Sequence, residues 1–125
     1  GLLPLIVDVA VPLSRYSAMV SVIKEEIREL SAAFVFGHAG DGNVHVVIMD
    51  DPSDPMRWGK VEEVNRRIVD RALALEGTCT GEHGIGMGKC LFMEKEHGDS
   101  VGLMRAIKGL MDPKNLLNPG KFFPR

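Results

Sequence analysis

Ala33-Phe34-Val35-Phe36-Gly37-His38-Ala39-Gly40-Asp41-Gly42-Asn43-Val44-His45-Val46-Val47-Ile48-Met49 decides the fold. Two runs rich in β-branched and aromatic residues, Ala33–Phe36 and Val44–Met49, flank a glycine-rich turn over 37–42, a pattern that predicts a tight antiparallel hairpin. Upstream, Tyr16, Met19, Val20, Ile23, Ile27 and Leu30 recur at helical spacing, with Lys24, Glu25, Arg28 and Glu29 on the opposite face. They predict a helix over 14–30, with Ser14 as its N-cap. Before it, Leu5–Val11 reads as a strand closed by Pro12. Downstream, Asp54-Pro55 starts a second helix whose apolar stripe is Val61, Val64, Ile68, Ala72 and Leu75, with Gly77 as its stop. Thr78–Thr80 has room for only a short fourth strand. Two helical stretches near 89–96 and 99–111 follow, and the tail from Asp112 shows no periodicity. The order β-α-β-β-α-β predicts an α+β, ferredoxin-like antiparallel sheet with helices on one face and short helices at the C-terminus, in one domain over 1–125.

Composition narrows the class of function. With 125 residues and 45% apolar content, the chain can build a hydrophobic core and is not disordered. A net charge of −2 gives no field for nucleic acid or an anionic membrane. No apolar run reaches the ~20 residues of a membrane-spanning helix, and the apolar start lacks the basic leader of a signal peptide. Two cysteines, Cys79 and Cys90, read as reduced, packed thiols in a cytoplasmic protein rather than a disulfide framework. A chain that starts at Gly1, directly in an apolar strand, reads as a piece of a longer one.

The chemistry concentrates in two glycine-rich segments. In the first, a hairpin would bring His38 and His45 to one end of the sheet, and neutral imidazole is the commonest metal ligand. The alternative is a Gly-Asp-Gly-Asn turn with two incidental histidines. The second reads Gly77-Thr78-Cys79-Thr80-Gly81-Glu82-His83-Gly84-Ile85-Gly86-Met87-Gly88-Lys89. Adjacent residues on extended backbone face opposite ways, so Glu82 and His83 can do different work. A solvated Glu-His pair is the bland alternative. A phosphate loop fails, because Gly84 and Gly88 are too close and no Ser or Thr follows Lys89. Taken together, two histidines and Glu82 make a three-ligand set for a divalent ion with an open position, and His83 is left beside it as a base. Of four histidines only His97 lies outside these segments.

Three ordered stretches, 37–45, 77–86 and 111–121, resemble the C-terminal domain of FAD-linked oxidases, the family of glycolate oxidase FAD subunits, D-lactate dehydrogenases and D-2-hydroxyglutarate dehydrogenases. The opening, Asp8 to Arg15, is similar too, and the likeness spans essentially the whole chain. The resemblance implies the C-terminal substrate or cap portion of a larger flavoenzyme, with FAD bound mainly by an N-terminal domain outside these residues. It implies a divalent metal (zinc, manganese or iron) on His38, His45 and Glu82, His83 as catalytic base, and flavin contact from Asn118 and Gly81. Dicarboxylate-specific members carry a lysine where this chain has Ile6, and a polar substrate contact where it has Val47. Both differences favour a smaller or less polar acid, of glycolate or D-lactate type. The expected reaction oxidises a 2-hydroxy acid to the 2-oxo acid, and the fragment by itself is expected to be inactive and prone to self-association. The rival is a non-catalytic metal-binding or protein-interaction module of the same fold. A metal hydrolase would have the ligands but lacks an evident nucleophile or oxyanion set.

Overall fold

The computed structural model describes residues 1–123. The described residues divide into two compact units, 1–82 and 83–123. The first contains β1 (Leu3–Ala10), α1 (Tyr16–Glu26), β2 (Ala33–His38), β3 (Asn43–Asp50) and α2 (Pro55–Ala74). The sheet runs β1-β3-β2, and both neighbouring pairs are antiparallel.

Register fixes the two faces. Val7 pairs with Val46 and Val9 with Val44, while Val35 pairs with Val46 and Ala33 with Ile48. Side chains alternate along a strand, so these residues share one face. On it Val7, Val9, Val44, Val46 and Ile48 are buried, as are Met19 and Ile23 of α1 and Val61, Val64, Ile68, Val69 and Ala72 of α2. Both helices pack together, and α2 also packs on β1 and β3. Each of these valine, isoleucine and methionine side chains contributes roughly 1.5–3 kcal/mol by leaving water. The opposite face carries Ile6, Phe34 and Phe36, which are 49%, 61% and 58% exposed. It also carries Asp8, Asn43 and His45, all buried.

The helices follow their punctuation. Asp54 caps α2 by accepting from the Met56 and Arg57 amides, with Pro55 in the first turn. α1 is shorter than its apolar spacing predicts. Leu13–Arg15 forms a 3-10 turn, and beyond Glu26 the Arg28 and Leu30 amides bond three residues back rather than four. At the end of α2 the left-handed residue is Glu76, at φ 62°, rather than Gly77. The Gly77 amide reaches the Ala72 carbonyl at 2.9 Å and the Glu76 amide the Leu73 carbonyl at 3.1 Å, a Schellman closure.

Among the described residues the sheet has three strands, not four. Thr78 forms an isolated bridge to Ala10 and the ladder stops there. Thr80 donates its amide to the Thr78 hydroxyl, and the next two amides turn inward to the Asp8 carboxylate. Local side-chain acceptors thus replace the ladder partners that a strand would need.

The second unit holds α3 (Met93–His97), preceded by a 3-10 turn at Cys90–Phe92, and α4 (Ser100–Met111). Its tail folds around Asp112, whose carboxylate accepts from the Leu116 and Leu117 amides at 2.8 and 2.9 Å and from the Lys108 ammonium. An open groove of about 670 Å³ lies between α4 and the tail, lined by Met104, Ile107, Met111, Leu117, Phe122 and Phe123 among others.

Candidate metal and active site

The hairpin sets the two histidines. β2 and β3 are joined by a 3-10 turn at Ala39–Asp41, followed by Gly42 at φ 73°. A side chain at Gly42 would meet the Val11 carbonyl oxygen at 2.0 Å as well as a strained backbone. His38 pairs with Asn43 across the hairpin, and His45 follows two residues on, so both imidazoles project from the sheet face opposite the apolar core. Their rings meet edge to face, with centroids 5.6 Å apart. His45 sits between its cross-strand neighbours Asp8 and Phe36. The Phe36 ring lies 5.1 Å from its own, and His45 is 2% exposed.

Glu82 arrives from the other end of the unit. Its carboxylate Oε1 stands 3.1 Å from His45 Nε2 and 3.5 Å from His38 Nε2. Ligand atoms of His38, His45 and Glu82 all lie within 4.8 Å of one another. A tetrahedral ion ~2.1 Å from each donor needs donors about 3.4 Å apart, close to the two separations just given. His38 and Glu82 are exposed while His45 is buried, which leaves one side of the trio open to solvent. Two imidazoles and a carboxylate in this spacing suit a divalent cation.

The turn that delivers Glu82 is anchored on Asp8, which is fully buried. Its Oδ2 accepts from the Gly81 and Glu82 amides at 3.1 and 3.0 Å and from the Thr80 hydroxyl at 3.3 Å. Its Oδ1 accepts from the Asn43 side-chain amide at 2.7 Å. Gly81 fits because it has no side chain: a Cβ there would stand 1.7 Å from Asn43 Nδ2 and 2.6 Å from Asp8 Oδ1. Asp8 and Asn43 were not singled out from the sequence. The signal was a lone carboxylate inside the apolar run Leu5–Val11, which is costly unless the fold supplies partners.

His83 opens the second unit and is exposed. Asn118 lines the groove of that unit beside Lys121, whose ammonium reaches its side-chain oxygen at 3.4 Å. Ile6 and Val47 are cross-strand partners, Phe34 pairs with Val47 on the other side, and all three lie on the face opposite the apolar core, next to the Asp8–His45–Phe36 row. Among the described residues neither cysteine is in a disulfide, Cys79 being buried and Cys90 half-buried. No described helix is long and apolar enough to cross a membrane.

Residues 1–122 match the family described as FAD linked oxidases, C-terminal domain. Over 122 residues the chain is 44% identical to a mitochondrial D-lactate dehydrogenase (cytochrome) of Arabidopsis thaliana, covering 96% of this chain and 22% of that protein. It is 38% identical over 120 residues to the glycolate oxidase subunit GlcD of Bacillus subtilis, covering 94% of this chain and 26% of the relative. A D-lactate dehydrogenase of Archaeoglobus fulgidus is 45% identical over 87 residues, 69% of this chain and 19% of its own length. The chain therefore spans about a fifth to a quarter of the relatives it matches.

Proposed function

The chain belongs to the FAD-linked oxidases as their C-terminal domain, and from that premise we propose that it contributes the metal site and catalytic base of a flavoenzyme oxidising a small 2-hydroxy acid. The observation that carries this reading is the convergence of His38, His45 and Glu82 on the sheet face opposite the apolar core. Those three residues would hold a divalent ion, which when bound supplies the positive charge that lowers the proton affinity of a substrate hydroxyl. FAD, carried mainly by a domain N-terminal to this chain, supplies the two-electron redox chemistry.

The chain's own residues do the rest. His83, next to Glu82 in sequence, takes the α-hydroxyl proton on an imidazole nitrogen. Gly81 leaves room at the turn, and Asn118 contacts the flavin. Ile6, Val47 and Phe34 offer an apolar wall beside the metal ligands with no cation for a second carboxylate, which supports a glycolate- or D-lactate-type acid. The exposed Ile6, Phe34 and Phe36 also support self-association when the flavin domain is missing. A cytoplasmic, reducing compartment suits two cysteines held outside any disulfide.

The test uses the full-length enzyme. His83→Ala is expected to abolish turnover while metal and flavin stay bound, and His45→Ala to lose metal and substrate binding together. A His83→Ala enzyme with near-normal kcat removes this residue from catalysis.

A further inference from the structure

We propose that Asp8 is a positioning residue for the metal ligands: it fixes His45 as the tautomer protonated on Nδ1, freeing Nε2 for a divalent cation, and sets Glu82 beside that nitrogen. The inference rests on the metal reading of the trio above and adds the group that organises it.

The two oxygens of Asp8 divide the work. Oδ2 gathers the turn, through the Thr80 hydroxyl and the Gly81 and Glu82 amides. Oδ1 faces the strands, accepting from Asn43 at 2.7 Å and standing 3.5 Å from His45 Nδ1. The Asn43 amide also donates to the Val9 carbonyl at 3.3 Å, so two acceptors define which end is nitrogen. His45 is thus bracketed. Its Nδ1 looks at one carboxylate in the interior, and its Nε2 looks at another at the open edge, 3.1 Å away. A buried carboxylate against Nδ1 favours a proton there, which leaves the Nε2 lone pair for an ion. The same side chain reaches two of the three ligands, one through its ring and one through its backbone.

A purely structural Asp8 makes a different prediction. Asp8→Asn retains one carbonyl oxygen, enough to hold the 80–82 turn, but turns an NH2 toward His45 and toward the Asn43 amide, which must turn its own oxygen to accept from it. Nδ1 must then accept, and the ring proton moves to Nε2, where the ion would bind. In the full-length protein, Zn2+ affinity measured by chelator competition is expected to fall about 10–100-fold in Asp8→Asn. Protection of the Gly81 and Glu82 amides from hydrogen exchange is expected to persist. Ring 15N shifts of His45 in the Zn2+-loaded wild type give an independent reading: Nδ1 should be protonated and Nε2 bound to metal. A wild-type ring bound through Nδ1 overturns the proposal even if the variant does not fold. Wild-type Zn2+ affinity in Asp8→Asn overturns it while leaving the metal reading intact. A wild type that takes up no Zn2+ sinks both.

Discussion

Gly81→Ala tests whether the turn before Glu82 is as tightly seated as the distances say. The added Cβ would stand 1.7 Å from Asn43 Nδ2, 2.9 Å from Asn43 Cγ and 2.6 Å from Asp8 Oδ1. Two of these three contacts belong to Asn43, so its side chain must leave, and with it the 2.7 Å bond to the buried Asp8. A hydrogen bond to a charged group contributes about 1.5–3 kcal/mol, and overpacking a filled site costs about 1–3 kcal/mol. The stiffer unfolded chain gives back about 0.4–1 kcal/mol. The expected net loss is roughly 2–5 kcal/mol, a large part of the ~5–15 kcal/mol that holds a typical domain together. Equilibrium urea denaturation, followed by the single tryptophan Trp58, measures it. The same substitution in an Asn43→Ala background should cost at least about 1 kcal/mol less, because the worst contacts are gone. A loss under about 1 kcal/mol, or equal losses in both backgrounds, would refute the packing argument.

Glu76→Gly should stabilise the first unit by up to about 1 kcal/mol, since a left-handed residue with a side chain costs about 1–2 kcal/mol and glycine returns part of that as entropy; a lower melting temperature would contradict it. In the tail, the Lys108 ammonium and then the Leu116 and Leu117 amides hold the Asp112 carboxyl below its usual range. A lowered folded pKa gives stability that is full above the unfolded value, ~3.9, and is lost as pH falls through the folded one. Leu116 and Leu117 amide protection, compared with other amides at each pH, should therefore drop below about pH 4 in the wild type and show no such step in Asp112→Asn. Ile6→Lys puts a cation two residues from Asp8 on the row proposed to face substrate. In the full-length enzyme it should shift the kcat/KM ratio toward dicarboxylates by about ten- to a hundredfold, the equivalent of one charged hydrogen bond; an unchanged ratio removes that row from specificity.

Much of this was legible in the sequence because the pattern and the physics agreed. The hairpin was announced by β-branched runs around Gly37–Gly42, and α2 by Asp54-Pro55 and a regular apolar stripe. His38, His45 and Glu82 could be grouped because each sat at a glycine-rich turn. The fourth strand was over-read: Thr78–Thr80 has strand-like composition, but composition does not reveal that Asp8 offers the next amides a stronger acceptor. Gly77 was read as the helix stop because glycine tolerates left-handed backbone best, whereas the fold imposes that conformation on Glu76. Asp8 itself was hidden by its surroundings, since its partners Asn43, Thr80, Gly81 and Glu82 lie far along the chain.

The spacing of the three proposed ligands bears on synthesis. His38 and His45 leave the ribosome together, as two ends of one turn, while Glu82 is the last residue of its unit and follows all of α2. A nascent chain would therefore first offer an imidazole pair, which by itself would hold an ion loosely. The third donor arrives only when the unit is complete and Thr78 has bridged to Ala10. Any ion gripped by all three ligands closes the long loop through α2 and offsets its closure entropy. On the proposed metal reading, tight capture would then mark a finished unit.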